Sequence, residues 1–264
     1  MTAEEFARAQ AAIVAQTTGF VLGVLSMFRF PLLSVKEWLN LLRSIFPEVQ
    51  EARRKSSDLG REFYDAQREE HAPGSGRHDA FLDHYTFQDF VKAMEPARRK
   101  LAQQDASDAA VKEAAMRITK EIENAGRGQI LKMVDSDPVV KGWARVATGR
   151  ETCGFCLMMV SRGPVYLSAR SAGLDTDDVT AEELWRKNDQ AAMDELAKRW
   201  HPGCDCKVVP VFDRTNWAGR DAYLDARELW NRFTKDVSYK DALNAFRRAL
   251  ERGEIKMPDY SIAA

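Results

Sequence analysis

Histidine and cysteine are scarce in this 264-residue chain, four of each, and that scarcity narrows its chemistry. The histidines are His71, His78, His84 and His201. The sequence has no Gly-x-Ser-x-Gly elbow of the hydrolase type and no His-Glu-x-x-His helix, which excludes a zincin at the motif level. Neither charge is in excess: 39 Lys and Arg against 40 Asp and Glu give a net charge of -1. A global positive field for wrapping nucleic acid is therefore absent, and any such contact rests on local patches. The start, Met1-Thr2-Ala3-Glu4-Glu5, is acidic where a secretory signal would be basic. Internal repeats and low-complexity tracts are lacking. The long uncharged stretch, Gln10 to Phe28, approaches the length of a membrane span. It carries Gln16, Thr17, Thr18, Gly19, Gly23 and Ser26, so it reads as a buried or partner-packed helix instead.

What is present is a globular composition, 45% apolar and 30% charged, long enough for one or two domains with a core of their own. Residues 1–72 read as helices. Thr2 with Glu5 forms a capping box, and Ser34 caps a second segment whose Val35, Trp38, Leu39, Leu42 and Ile45 recur at helical spacing. Pro47 is expected to end or kink that helix, leaving a charged third segment from Glu48 to His71. Ala72-Pro73-Gly74-Ser75-Gly76 is a break. A second helical region, 78–138, begins with the aromatic-rich run Phe81, Leu82, Tyr85, Phe87, Phe90, Val91 and Met94, in which His84 reads as a core residue. Pro96 is placed to open a new helix, with two helices filling 97–134. The runs Arg53-Arg54-Lys55 and Arg98-Arg99-Lys100 have acidic neighbours and read as solvated helix faces.

Near Trp143 the composition turns to Gly, Pro, Cys and short apolar runs. Met158-Met159-Val160 and Lys207 to Phe212 are the strand candidates. Thr180 to Trp200 reads as a helix opened by Thr180 and Glu183. After Phe212 the pattern is helical again, with Tyr223, Leu224, Leu229, Trp230 and Phe233 in one run and a last helix over about 238–252, stopped by Gly253. The fold class expected is mainly α, with a small α+β module over 139–215 and C-terminal helices over 216–264. Trp185, Trp200, Trp217 and Trp230 read as core or contact anchors.

All four cysteines fall in two pairs. Cys153-Gly-Phe-Cys156 is followed much later by His201-Pro-Gly-Cys204-Asp-Cys206. A C-x-x-C turn folds two thiolates toward one ion, and zinc takes four such sulfur or imidazole ligands in a tetrahedron. Cys204 and Cys206, two apart, share a face of an extended strand. Cys153, Cys156, His201, Cys204 and Cys206 are thus five candidate ligands for four places. Structural zinc is the leading reading. Metal-free structural cysteines, free or disulfide-bonded, and a catalytic thiol are the alternatives.

These residues resemble the C-terminal segment of MuF-like minor head proteins of tailed phages. The elements are Trp143-Ala-Arg145-Val-Ala-Thr-Gly149, the Arg150-Glu-Thr152-Cys153-Gly-Phe-Cys156 run, Ser161-Arg162-Gly163-Pro164-Val165-Tyr166, and Trp200-His201-Pro202-Gly203-Cys204-Asp205-Cys206 with its following strand. The Ser-Arg-Gly-Pro-Val-Tyr wording and the upstream Tyr85-Thr-Phe87 to Pro96 block are similar to the actinobacteriophage branch. The resemblance covers about half of the chain. It implies a minor capsid protein of head morphogenesis, made in the host cytoplasm and carried into the virion. Its implied partners are the portal, scaffold and major capsid proteins and the packaged DNA, with no membrane role. Proteins of this branch are often labelled capsid maturation protease. In that alternative Ser161 is the conceivable nucleophile and His201 the conceivable base; otherwise Ser161 sits in a turn and His201 serves the cysteine site.

Overall fold

The computed structural model describes residues 1–27, 34–102, 108–148, 152–164, 200–204, 206–237 and 239–255. Helix α1 (Ala3–Ser26) starts on the Thr2/Glu5 capping box, with Glu5 N–H donating to Thr2 Oγ1 at 3.2 Å and Thr2 N–H to Glu5 at 2.8 Å. It is long and apolar enough to cross a membrane, though Phe6, Val21 and Leu25 are buried inside this fold. Helix α2 (Val35–His71) opens on Ser34 and Glu37 in the same way.

Contrary to expectation, Pro47 neither ends nor splits α2. A proline inside a helix forfeits one backbone hydrogen bond. Here the buried stripe Leu42, Ile45, Val49 and Ala52 runs straight through it, so packing on one continuous face outweighs that loss. Pro96 likewise lies inside α3 (Phe87–Leu101), between Met94 and Ala97, both buried, and does not open a helix. Thr86 and Asp89 form the capping box that starts α3. A single helix, α4 (Asp108–Val134), stands where two were expected together with the end of α3.

Strand β1 (Gly142–Val146) pairs antiparallel with β2 (Lys207–Val211), Gly142 opposite Val211 and Val146 opposite Lys207. Pro210 lies opposite Trp143. Between the strands comes α5 (Gly154–Ser161). Met158-Met159-Val160 belongs to this helix and is not a strand. Every residue of α5 is buried, so the run shows no apolar stripe, and a continuous apolar run does not reveal its period. Helices α6 (Arg220–Thr234) and α7 (Tyr239–Glu251) complete the described chain, α7 stopping two residues before Gly253 as expected. The expected helix over 180–199 lies outside the described residues.

The described residues are mainly helical, with one small antiparallel sheet among them. One apolar cluster joins the C-terminal half of α1 to α2, α3 and α4 through Val21, Trp38, Ile45, Phe90 and Ile118. A second joins Phe6, Phe63 and Tyr64 to Met133, Trp143, Val209 and the cysteines. Thus the sheet and its thiols rest directly on the ends of the long helices. Buried ion pairing ties this junction: Asp137 accepts from Tyr64 Oη at 2.8 Å, Arg68 Nε at 2.6 Å and Val139 N–H at 3.1 Å. His84 is exposed and lines an open cavity of about 500 Å³ between α2 and the segment before α3, so it is not a core residue. Aromatic neighbours in sequence misplaced it, because Phe81 beside it is exposed as well.

Candidate metal centre

The first half of the site is the start of α5. Cys153 is its N-cap, in extended backbone, and its sulfur accepts the N–H of Cys156 at 3.4 Å. The sulfur thus does what a Ser or Asp oxygen does at other helix starts, and both side chains of the C-x-x-C turn are held on one side. The second half is the loop into β2. His201 C=O accepts the N–H of Cys204 at 3.1 Å, closing a turn with Pro202 and Gly203 at its corners. Gly203 has φ +80°, a left-handed conformation that favours glycine after proline in such a turn.

The two halves meet. His201 Nε2 lies 3.2 Å from Cys153 Sγ and 3.8 Å from Cys156 Sγ. Cys156 Sγ is 3.1 Å from Cys204 Sγ and 3.5 Å from Cys206 Sγ, and Cys204 and Cys206 sulfurs are 3.2 Å apart. Two triads result, Cys153/Cys156/His201 and Cys156/Cys204/Cys206, with Cys156 common to both. All four cysteines are free, and three are buried, Cys153 being partly exposed. All five candidate ligands are therefore brought into one cluster.

The donor set fits zinc. With Zn–S of about 2.3 Å, a tetrahedral site has sulfur–sulfur edges of about 3.7 Å; the edges here, 3.1, 3.2 and 3.5 Å, are shorter, so an ion would spread the sulfurs by a few tenths of an ångström. His201 Nδ1 is 3.0 Å from the carbonyl of Pro202. That contact puts a proton on Nδ1 and turns Nε2 toward the sulfurs, the orientation of metal-bound histidines. Hydrogen bonds inside the cluster divide the thiols, lowering Cys153 and Cys204 and raising Cys156, and they hold a proton on His201 Nε2 that an ion would have to displace. The Cys156 thiol, and after it His201, draw Cys153 down to about 4, while the bond to Cys153 lifts His201 to about 9. Burial pushes Cys206 up to about 12.

Several supporting residues gave no warning in the sequence. Arg127 of α4, fully buried, donates to Cys204 C=O at 2.8 Å and to Cys206 C=O at 3.1 Å, and pairs with Glu123 at 3.2 Å. Arg145 of β1 donates to Cys206 Sγ at 3.7 Å. The two guanidinium groups stack on the ring of Trp200, at 4.2 and 3.8 Å from its centroid. Lys207 pairs with Glu123 at 2.6 Å, both nearly buried. Arg145 and Trp200 stood in the motif, but Arg127, twenty-six positions before Cys153, carried no signal of its role.

Ser161 ends α5 and is buried. Its Oγ donates to the Met158 carbonyl at 2.7 Å within its own helix, and not in the expected turn after it. Among the described residues, the hydrogen-bonding neighbours of the His201 nitrogens are the two sulfurs and the Pro202 carbonyl.

No solved structure matches the chain. The Gene 15 protein of Mycobacterium phage L5 is 43% identical over 294 aligned positions, covering all of both chains. The Gene 15 protein of Mycobacterium phage D29 is 45% identical over 274 positions, covering 96% of this chain and all of its own. The VG15 protein family matches residues 1–234, and with that match and these two phage relatives over nearly all of its length the chain belongs to the VG15 family.

Proposed function

We propose that this protein is a minor head protein of a tailed phage, a structural factor of procapsid assembly acting near the portal. The observation that carries this reading is the convergence of Cys153, Cys156, His201, Cys204 and Cys206 into one cluster. The pairing of those two segments is what the resemblance to MuF-like minor head proteins rests on. Membership in a family with phage gene products supports the same direction.

In this reading a structural zinc ion staples the module in a reducing cytoplasm, where disulfides do not persist. Helices α1 to α4 are the docking surface for portal, scaffold or major capsid protein, and the protein travels into the virion. The exposed charges of α2 and α3 are already paired, Arg54 with Glu51 and Asp58 and Arg98 with Glu95. Contact with packaged DNA is accordingly a minor part.

Quantitative mass spectrometry of purified procapsids and virions tests the reading. A few copies per particle are expected, and a phage with the gene interrupted should fail to form DNA-filled heads. Normal heads without the gene product would reject it. Co-expression with the major capsid protein tests the protease alternative: Ser161→Ala should leave the capsid protein unchanged in length, as in wild type. Processing by wild type that Ser161→Ala abolishes would restore the enzyme.

A further inference from the structure

We infer that the metal is held by two pairs of equal spacing, Cys153/Cys156 and His201/Cys204, and that Cys206 stands outside the coordination sphere as the partner of Arg145. This rests on the structural-zinc reading above and goes further by selecting four ligands from five.

Each pair is pre-folded by its own backbone. In the first, the Cys156 N–H bonds the Cys153 sulfur at the first turn of α5. In the second, the His201 carbonyl takes the Cys204 N–H across a Pro-Gly turn with Gly203 at φ +80°. Both devices place the side chains of residues i and i+3 on the same side of a reversing chain, which is how two ligands reach one ion without further ordering cost. Cys206 belongs to neither turn. It follows Cys204 by two residues, on the approach to β2, and the residue after it already pairs with Val146.

The imidazole is set as a ligand. Nδ1 is engaged by the Pro202 carbonyl at 3.0 Å, and Nε2 faces Cys153 and Cys156. A histidine outside the coordination sphere has no need of that orientation. Cys206 has a different neighbour: Arg145 Nη1 lies 3.7 Å from its sulfur, and Arg127 grips its carbonyl at 3.1 Å. Its nearness to Cys204 and Cys156, at 3.2 and 3.5 Å, follows from the Cys-x-Cys spacing, so an ion on the four named ligands draws Cys204 toward His201 and away from Cys206.

X-ray absorption on the wild-type protein loaded with zinc alone tests the assignment without any variant. Three sulfurs at about 2.3 Å and one nitrogen at about 2.0 Å are expected; four sulfurs would overturn it. Variants supply a second reading. Cys206→Ser and Cys206→Ala should each retain one zinc per chain with the same absorption pattern. His201→Ala should weaken zinc binding by roughly tenfold or more. Loss of zinc in both Cys206 variants, with retention in His201→Ala, would overturn the inference while leaving the metal reading intact. Wild-type protein that binds no zinc would overturn both.

Discussion

Gly60 of α2 and Gly126 of α4 meet where the two longest helices cross: a Cβ built on Gly60 would lie 2.7 Å from the carbonyl oxygen of Gly126. Neither helix can withdraw, because the crossing is pinned by a buried polar junction. Gln10 of α1 donates to Ser56 Oγ at 2.9 Å, and the Gly126 N–H reaches the same oxygen at 3.2 Å.

Gly60→Ala should therefore destabilise the protein by about 1–3 kcal/mol, the usual cost of overpacking a filled site. Gly19→Ala is the matched control. Gly19 also lies within a helix, but a Cβ there meets nothing within 4 Å, so alanine should stabilise by up to about 1 kcal/mol through helix propensity. Opposite shifts in melting temperature check the pair; equal shifts would contradict the geometry.

Acid should attack the Tyr64–Arg68–Asp137 junction. Burial alone would raise the Asp137 carboxyl, but bonds from Arg68, Tyr64 and the Val139 amide outweigh it and hold the group below the ordinary Asp value. A depressed folded value means the stabilisation is complete above the unfolded value of about 3.9 and is lost as pH falls through the folded one. Asp137→Ala should cost about 3–5 kcal/mol at neutral pH, since it strands a buried arginine. The gap between variant and wild type should shrink below about pH 4 in denaturant melts at several pH values.

Arg127 should not be replaceable by lysine. Its guanidinium reaches two carbonyls of the ligand loop and Glu123 at once while stacking on Trp200. An ammonium is a point charge that cannot span them or stack as a plane. Arg127→Lys should lower the melting temperature almost as far as Arg127→Ala, and both should weaken zinc binding. A lysine variant with wild-type stability would show that charge alone matters there.

Much of this was legible in the residues themselves. The capping box at Thr2/Glu5 and the Ser34 cap are local devices, written in four consecutive positions, and the structure contains both. The thiol and imidazole positions were legible for the same reason, since two short turns carry them. What escaped depends on burial. Pro47 and Pro96 look like breaks until the apolar face running through them is seen to be packed. Strand β1 contains Arg145, fully buried, and so lacked an apolar signature. The Thr86/Asp89 capping box is a local device of the same kind and marks the start of α3 ten residues before its proline.

Metal content coupled to stability bears most directly on the claim that residues 153–156 and 201–206 are tied by one ion. Elemental analysis of protein purified without added metal should find close to one zinc per chain, and a strong chelator should lower the melting temperature by many degrees, because binding free energy at such a site is folding free energy. Protein that contains no metal, and melts at the same temperature with chelator as without, would contradict the account.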